Sequence, residues 1–279
     1  MWCFLGIGAQ KAGTTWLYRM LDSHPDVGFP FGKEAHFWNR SRAGDDAAVA
    51  RYCARFDHAA RCEGEITPAY SALDESTIAR IRDVAPQLRL IFICRNPLER
   101  AWSSAIMVLS QLGMQFDEAS DRFFVDLFRS RASLARGDYA TTIRRWRKFF
   151  PGDALLALRF ESIRTEPEAV VNRTLRHIGV AGLPDAELRS MGSRSVAFAG
   201  PRYDIRPALW AELQKLYAEP IADLESLLEI DLRAWLEPPA NVRNEETPDP
   251  SRAFGTQGLV FARVPAHRRE GGRRYVARS

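Results

Sequence analysis

The sequence lacks any uninterrupted apolar run of about 20 residues, the length that a membrane-spanning helix requires. Its first residues, MWCFLGIGAQK, contain neither the basic start nor the small-residue cleavage site of a secretory leader. Because both signals are missing, we expect a cytoplasmic protein without a membrane span.

Cysteine is scarce, with four in 279 residues. No two of them form a CxxC pair and histidine is sparse around them, so the sequence predicts no metal site. Cys3 and Cys94 lie in apolar runs, where a buried free thiol is common. Cys53 and Cys62 could form a disulfide only in an oxidising compartment, and the sequence leaves that pairing open.

An excess of one charge is also missing from most of the chain. The 39 Lys and Arg against 35 Asp and Glu give +4, and residues 237–279, with eight Arg and five acids, hold +3 of it. The nearly neutral remainder argues against nucleic-acid binding. We expect one domain over residues 1–236 and an extended or partly ordered tail over residues 237–279, with a candidate hairpin arm at 254–264.

Short apolar runs alternate with segments of helical periodicity. The clearest buried strands are Leu88–Cys94 and Trp2–Gly8, and Pro97 suits the first turn of a helix. The pattern predicts one helix over Asp117–Ala135 and two helices between Pro207 and Leu228. The alternation favours an α/β fold, a P-loop-like arrangement of three layers with a mostly parallel central sheet flanked by helices.

A loop of small residues, Gly8–Gly13, joins the first strand to the first helix. Small residues let the backbone curl so that its N–H groups point inward, and a helix N-terminus adds partial positive charge. Lys11 adds a full charge, and Thr14 and Thr15 add hydroxyl donors. The combination predicts a cradle for a phosphate or sulfate group.

The spacing separates this loop from the nucleotide-triphosphatase loop GxxxxGK[ST]. Gly8 and Gly13 have the right separation, but Thr14 stands where that loop requires lysine, and Lys11 lies inside the loop. The buried strand further along ends in Arg95, where a triphosphatase usually has an Asp for magnesium. The pattern favours metal-free handling of a nucleotide anion.

Arg95 and Ser103 form a second candidate anion site. Arg95 would lie at the carboxyl end of the sheet, where open α/β proteins bind ligands, and Ser103 follows about two turns along the next helix. A guanidinium supplies a fork of donors for phosphate. Arg100, on the same helix, is interpreted as structural.

Four segments together resemble the sulfotransferases that use 3′-phosphoadenosine 5′-phosphosulfate (PAPS), in particular their bacterial and heparan-type branch. They are QKAGTTW at Gln10–Trp16, GKEAHFWN at Gly32–Asn39, GEITPAY at Gly64–Tyr70 and RNPLERAWSS at Arg95–Ser104. The resemblance covers about residues 2–235. Heparan-type enzymes often carry Lys where this chain has Ile66, which weighs against a heparan-like polysaccharide acceptor.

The resemblance implies PAPS as the donor, without a metal. The residues that it places against the donor are Lys11, Ala12, Gly13, Thr14, Thr15, Trp16, Arg95 and Ser103. Trp16 would stack on the adenine or pack in the core. Arg95 and Ser103 would bind the 3′-phosphate, and Arg194 is a candidate for a further contact to it.

Catalytic roles follow from the charge that develops in sulfuryl transfer. Lys11 would stabilise the leaving group, and a carboxylate is needed to take the acceptor's proton. The resemblance implies that Glu34 is this base. His36, two residues on, could stand beside Glu34 as a catalytic or acceptor-contact residue, or could equally cap a turn. The alternative for Glu34 is a surface ion pair with Lys33.

The acceptor hydroxyl or amine stays open. A glycan, a lipid-linked sugar and a small hydroxylated metabolite all fit the sequence, and we expect no nucleic-acid partner. Two other functions are also open, a nucleotide-dependent kinase with a degenerate loop and a nucleotide-binding protein without transfer activity. Thr14 in place of lysine and the position of Arg95 weigh against the kinase, and the presence of Lys11 and Glu34 weighs against the binding protein.

Overall fold

A parallel β-sheet forms the centre of the computed structural model, which describes residues 2–40, 45–56, 60–195, 203–239 and 242. Its strands within the described residues are β1 (Trp2–Gly8), β2 (Val27–Gly28), β3 (Cys62–Ile66), β4 (Arg89–Cys94) and β5 (Leu155–Arg159). They lie in the order β2-β3-β1-β4-β5, so β1 is central and the chain order reverses beside it. The predicted α/β fold with a parallel central sheet is confirmed.

Helices flank this sheet. Those in the described residues are α1 (Thr14–Asp22), α2 (Asp46–Cys53), α3 (Glu75–Val84), α4 (Pro97–Gln111), α5 (Asp121–Arg129), α6 (Arg131–Gly137), α7 (Tyr139–Arg147), α8 (Phe160–Thr165), α9 (Pro167–His177), α10 (Asp185–Ser190) and α11 (Pro207–Leu228). Short 3-10 helices lie at Pro68–Ala72, Gly152–Ala154 and Arg233–Trp235. No helix of the described residues is both long and apolar enough to cross a membrane.

The central strands are apolar because both faces of the sheet are covered. Phe4, Leu5 and Ile7 of β1 are fully buried, as are Leu90 and Phe92 of β4. Burial of a large apolar side chain contributes about 1.5–3 kcal/mol relative to its exposed state. The centre of the sheet is therefore a firm base for the segments that leave its edge.

Parallel pairing brings the carboxyl ends of β1, β3 and β4 to one edge of the sheet. Gly6 of β1 pairs with Ile66 of β3, and Gly8 of β1 pairs with Phe92 of β4. The segments that follow these strands therefore begin side by side, beside the point where the strand order reverses. This crevice is where open α/β proteins bind ligands.

The predicted single helix over Asp117–Ala135 is wrong, because the chain forms α5 and α6 there. Ser130 separates them in an extended conformation, with φ −59° and ψ 138°. Its hydroxyl accepts a hydrogen bond from the Ser133 amide at 3.2 Å and so caps α6. Local side-chain capping thus outweighs the continuous helical pattern.

The predicted break between Pro207 and Leu228 is also wrong. Helix α11 runs through Pro220, whose missing N–H removes only one backbone hydrogen bond. Leu213 before the proline and Ile221 and Leu224 after it are buried. Packing of both halves against the same core keeps the helix continuous.

The structure also settles several minor predictions. None of the four cysteines, all of which lie in the described residues, forms a disulfide, including the two left open for one. Cys94 is buried as predicted, whereas Cys3 is only partly buried. Arg100 is fully buried and its Nη2 donates to the Tyr217 hydroxyl at 3.2 Å and the Ser133 carbonyl at 3.0 Å, which confirms a structural role.

The predicted tail, residues 237–279, falls mostly outside the described residues, which include only 237–239 and 242 of it. The candidate hairpin arm at 254–264 lies outside them altogether. The described residues belong to one compact unit, Met1–Asn244.

Candidate active site

The segment between β1 and α1, Gly8–Gly13, forms what we call the Lys11 loop. Its backbone is left-handed at Lys11, with φ 66°, and at Gly13, with φ 86°. Position 13 requires glycine for two reasons: its φ is in the left-handed region, and a Cβ there would lie 2.9 Å from Ile163 Cδ1. The tight curl that the small residues predict is therefore present.

The N-terminus of α1 lies directly after this loop. The first amides of a helix have no intrahelical partner and carry partial positive charge. Within the described residues no side chain caps them, and the first turn, which begins with Thr14 and Thr15, contains no acid. Thr14 is buried and Thr15 partly exposed. This end of α1 therefore fits an anion, as the sequence predicts.

Arg95 lies against the Lys11 loop at the carboxyl end of β4. Its Nη1 donates to the Lys11 carbonyl oxygen at 2.8 Å, and its Nη2 donates to Glu99 Oε2 at 3.0 Å. The guanidinium also lies over the Phe160 ring, 4.7 Å from its centroid. The structure thus brings Lys11 and Arg95, predicted from segments 84 residues apart, into contact.

The electrostatics of this pair favour an anion. Burial lowers the pKa of Lys11, and the positive charge of Arg95 lowers it further. Glu99 offsets only part of that repulsion, because it is paired with Arg95 and 40% of its side chain is exposed. A bound phosphate or sulfate would relieve the repulsion.

The other predicted donor contacts occupy different surroundings. Ser103 lies partly exposed on α4, on the helix that begins beside Arg95. Trp16 is only 6% exposed, and its Nε1 donates to the Ser193 carbonyl at 2.8 Å. Arg194 pairs with Glu168 at 3.0 Å. The structure gives Trp16 a packing role, and stacking on adenine stays a prediction.

The segment after β2, residues 29–40, forms what we call the Glu34 loop; it contains no helix or strand. Glu34 and His36 both have left-handed backbone, with φ 67° and 55°. His36 Nε2 lies 3.2 Å from Glu34 Oε2, so of the two positions open to it His36 takes the one beside Glu34, and its catalytic role stays a prediction. Lys33 also pairs with Glu34, so the alternative ion pair is present as well.

Glu34 is placed to handle a proton. Its side chain is 36% exposed, so an acceptor can reach the carboxylate. His36 Nδ1 lies 3.2 Å from Asn39 Oδ1, which orients the ring with Nε2 toward Glu34. A proton taken up by Glu34 can therefore be shared with the imidazole.

Sequence reasoning missed Glu65, a fully buried carboxyl on β3 behind the Glu34 loop. Burial raises the pKa of Glu65, and hydrogen bonds from Tyr52, Tyr70 and Thr67 and from the Ala35 amide offset only part of that rise. The available signal was a glutamate inside the apolar strand Cys62–Ile66, because a buried charge requires hydrogen-bond partners.

The described residues contain no group of three or more His, Cys, Asp or Glu side chains arranged to hold a metal ion. The donor set at this edge consists instead of backbone amides, hydroxyls, Lys11 and Arg95. Such a set fits the negatively charged groups of a nucleotide.

Comparison of the sequence with known proteins identifies the family to which the chain belongs. The family model described as the sulfotransferase domain matches residues 4–191. Heparan sulfate glucosamine 3-O-sulfotransferase 6 of Mus musculus is 30% identical over 181 residues, which are 62% of this chain and 51% of that protein. Bifunctional heparan sulfate N-deacetylase/N-sulfotransferase 3 of Homo sapiens is 27% identical over 63% of this chain and 22% of its own length. The chain thus spans about half the length of the 3-O-sulfotransferases it matches, or less for the bifunctional enzyme.

A solved structure agrees with these matches. The crystal structure of a sulfotransferase from Alicyclobacillus acidocaldarius has a TM-score of 0.63 and 26% identity, covering 85% of this chain and 99% of that one. The family model covers well over half of the sequence and includes both the Lys11 loop and the Glu34 loop. The chain belongs to the sulfotransferase family.

Proposed function

We propose that this protein transfers a sulfuryl group from PAPS to a hydroxyl or amine of an acceptor. The observation that carries the proposal is the contact between the Lys11 loop and Arg95 at the carboxyl edge of the sheet. Two cationic elements meet there beside a helix N-terminus, which suits a nucleotide with negative charge at two positions. Family membership supports PAPS as that nucleotide.

The Lys11 loop would hold the 5′ end of the donor. PAPS supplies an activated sulfuryl group and an adenosine bisphosphate leaving group. The amides at the start of α1 and the hydroxyls of Thr14 and Thr15 would bind its 5′-phosphosulfate, with Ala12 and Gly13 permitting close approach. Lys11 would stabilise the charge that develops on the bridging oxygen.

Arg95 and Ser103 would hold the 3′-phosphate. Arg95 is already fixed by the Lys11 carbonyl and by Glu99, so its guanidinium is oriented before a ligand arrives. Ser103 projects from α4, the helix that begins next to it, and would add a hydroxyl donor. Because the site would contact both the 5′-phosphosulfate and the 3′-phosphate, it would bind PAPS in preference to adenosine nucleotides that lack a 3′-phosphate.

Glu34 would act as the general base. Its carboxylate is partly exposed and lies beside His36, so it can take the acceptor's proton and share it with the imidazole. Proton transfer by a positioned group typically contributes about 10²–10⁴-fold in rate. Lys33 forms an ion pair with Glu34 and would help to hold its carboxylate in place.

A glycan is the acceptor class best supported by the comparisons, because the relatives' names specify heparan sulfate glucosamine. Ile66 argues for a different glycan, since it is 1% exposed and offers an acceptor neither charge nor surface. A lipid-linked sugar and a small hydroxylated metabolite stay open. The cytoplasmic location likewise stays a prediction.

Calorimetry tests the proposal against the kinase and the binding protein. The proposal predicts tight binding of adenosine 3′,5′-bisphosphate in EDTA, whereas a kinase would prefer ATP with magnesium. A labelled-sulfate transfer screen with PAPS and a cell extract, with products identified by mass, then separates an enzyme from a binding protein. Binding of the bisphosphate with no labelled product from any extract would favour the binding protein.

A further inference from the structure

We propose that Glu65 is the positioning residue of the Glu34 loop, whose backbone it holds through the hydroxyls of Thr67 and Tyr70. The catalytic meaning of this arrangement rests on the proposed function. The arrangement itself is a claim about the structure and can be tested without any activity.

Glu65 lies at the centre of a ring of hydrogen-bond donors. The Tyr52 hydroxyl donates to Oε1 at 2.6 Å, and the Thr67 hydroxyl donates to Oε2 at 3.3 Å. The Tyr70 hydroxyl and the Ala35 amide also lie close enough to stabilise the carboxylate. The two oxygens of a carboxyl group offer about four acceptor positions, so this set of donors matches their capacity.

The carboxylate fixes the direction of the neighbouring hydroxyls. The Thr67 hydroxyl donates to Glu65 Oε2, so its hydrogen points toward Glu65 and leaves an oxygen lone pair for the Glu34 loop. The His36 amide donates to that Thr67 oxygen at 3.5 Å, and the Trp38 amide donates to the Tyr70 oxygen at 3.3 Å. Two amides of the loop are thus held by hydroxyls that Glu65 orients.

The Glu34 loop needs such support because its own conformation is unfavourable. Glu34 and His36 flank Ala35 in the left-handed region, which side chains other than glycine rarely adopt. The loop contains no helix or strand whose ladder of hydrogen bonds would stabilise it. A further anchor is packing, because the Phe37 ring stacks on Tyr52 with 4.3 Å between centroids.

Glu65 cannot itself be the base. It is fully buried beneath the loop, so no acceptor can touch its oxygens. Glu34, by contrast, is 36% exposed. Glu65 therefore acts through the loop: it sets where Glu34 and His36 stand.

The test is amide hydrogen exchange across residues 33–39 in Thr67→Val and Tyr70→Phe, each of which removes one hydroxyl. We expect exchange there to rise by about tenfold, because the local opening free energy falls, while the Lys11 loop exchanges as in the unmodified protein. Thr67→Ser keeps the hydroxyl and should behave as the unmodified protein. Tyr139→Phe is the matched control, since the Tyr139 hydroxyl is buried without a hydrogen-bond partner among the described residues.

Kinetic measurements test whether the arrangement matters for catalysis. With PAPS and a heparosan oligosaccharide or 4-nitrophenol as the probe acceptor, Tyr70→Phe and Glu65→Gln should lower kcat while affinity for adenosine 3′,5′-bisphosphate is unchanged. If Glu65→Gln fails to fold, the two hydroxyl variants still decide the question.

Faster exchange in Thr67→Val and Tyr70→Phe, with exchange unchanged in Thr67→Ser and Tyr139→Phe, supports the proposal. This result would stand even if the unmodified protein transferred no sulfuryl group. In that case only the proposed function would fail. Unchanged exchange over residues 33–39 in both Thr67→Val and Tyr70→Phe would overturn the proposal.

Discussion

The Lys11 loop and the Glu34 loop lie at the same edge of the sheet but are held in different ways. The Lys11 loop is fixed mainly by backbone groups, since the Ala9 amide donates to the Ile93 carbonyl of β4 at 3.0 Å and the Ala12 amide to the Ala9 carbonyl at 3.3 Å, and the Arg95 side chain adds one bond to the Lys11 carbonyl. The Glu34 loop is instead held by the side chains of Thr67, directly after β3, and Tyr70, in the 3-10 helix that follows.

The two loops therefore differ in which residues their conformations depend on. Backbone amides and a helix N-terminus are present in any sequence that folds into this turn, so the Lys11 loop depends on small residues and on one charge. The Glu34 loop depends on distant side chains that must be buried and satisfied together. Substitutions should therefore affect donor binding locally in the first loop, and should affect the placement of the base from a distance in the second.

Glu34→Gln should give the largest loss of activity. Removing the base should lower the transfer rate by about 10²–10⁴-fold, while affinity for adenosine 3′,5′-bisphosphate is retained because the amide lies outside the Lys11 loop. Rate measurements and calorimetry on the same preparation check both parts. Glu75→Gln, in an exposed pair with Lys148, is the control and should leave both unchanged.

Lys11→Ala should lower the transfer rate by about 10²–10³-fold, the usual loss when one group that stabilises transition-state charge is removed. Unlike Glu34→Gln, it should also weaken binding of the bisphosphate, because ground and transition state both carry negative charge there. Lys215→Ala, on the exposed side of α11, is the matched control. Equal bisphosphate affinity in Lys11→Ala and the unmodified protein would remove Lys11 from the donor site.

Gly13→Ala should destabilise the fold as well as the site. The left-handed φ of 86° and the 2.9 Å approach of Ile163 leave no room for a Cβ. We expect a loss of about 1–2 kcal/mol in the free energy of unfolding, measured by denaturant titration. Gly152→Ala, where no described atom lies within 4 Å of the new Cβ, should cost less. Equal losses in both would mean that the curl at Gly13 is not required.

The pH dependence of donor binding should be the smallest effect. Burial and Arg95 lower the pKa of Lys11, so in the free protein its charge is lost at a lower pH than for an ordinary lysine. An anion favours the charged form, and affinity should therefore fall as pH rises through this lowered pKa. Calorimetry of the bisphosphate across the alkaline range measures it. Lys11→Arg should flatten the decline, and an equal decline in both proteins would assign it to another group.

Much of the fold could be predicted because its signals are local. The bounds of β1 and α4 agree with the prediction, since Gly8 ends an apolar run and Pro97 opens a helix. The continuity of α11 through Pro220 could not be predicted, because it depends on packing of both halves against residues distant in sequence. Ser130 was missed for a different reason, as its cap competes with an unbroken helical pattern.

The candidate site likewise contains residues that could be predicted from local motifs and residues that could not. Lys11, Glu34 and Arg95 each lie in short motifs, so their places could be predicted, although the direct contact between Arg95 and the Lys11 carbonyl could not. The role of Glu65 could not be predicted, because it depends on hydrogen-bond partners from different parts of the chain: Tyr52, Thr67 and the Glu34 loop. A buried charge in a strand is visible in a sequence, but what satisfies it is visible only in the fold.

Under the proposed function, the Lys11 loop and Arg95 bind opposite ends of one adenosine nucleotide. The most direct test is calorimetry of adenosine 3′,5′-bisphosphate and adenosine 5′-phosphate with the unmodified protein and with Arg95→Ala. We expect the unmodified protein to bind the bisphosphate more tightly than the monophosphate, and Arg95→Ala to lose that preference while still binding both. Equal affinity of the unmodified protein for the two nucleotides would contradict the account.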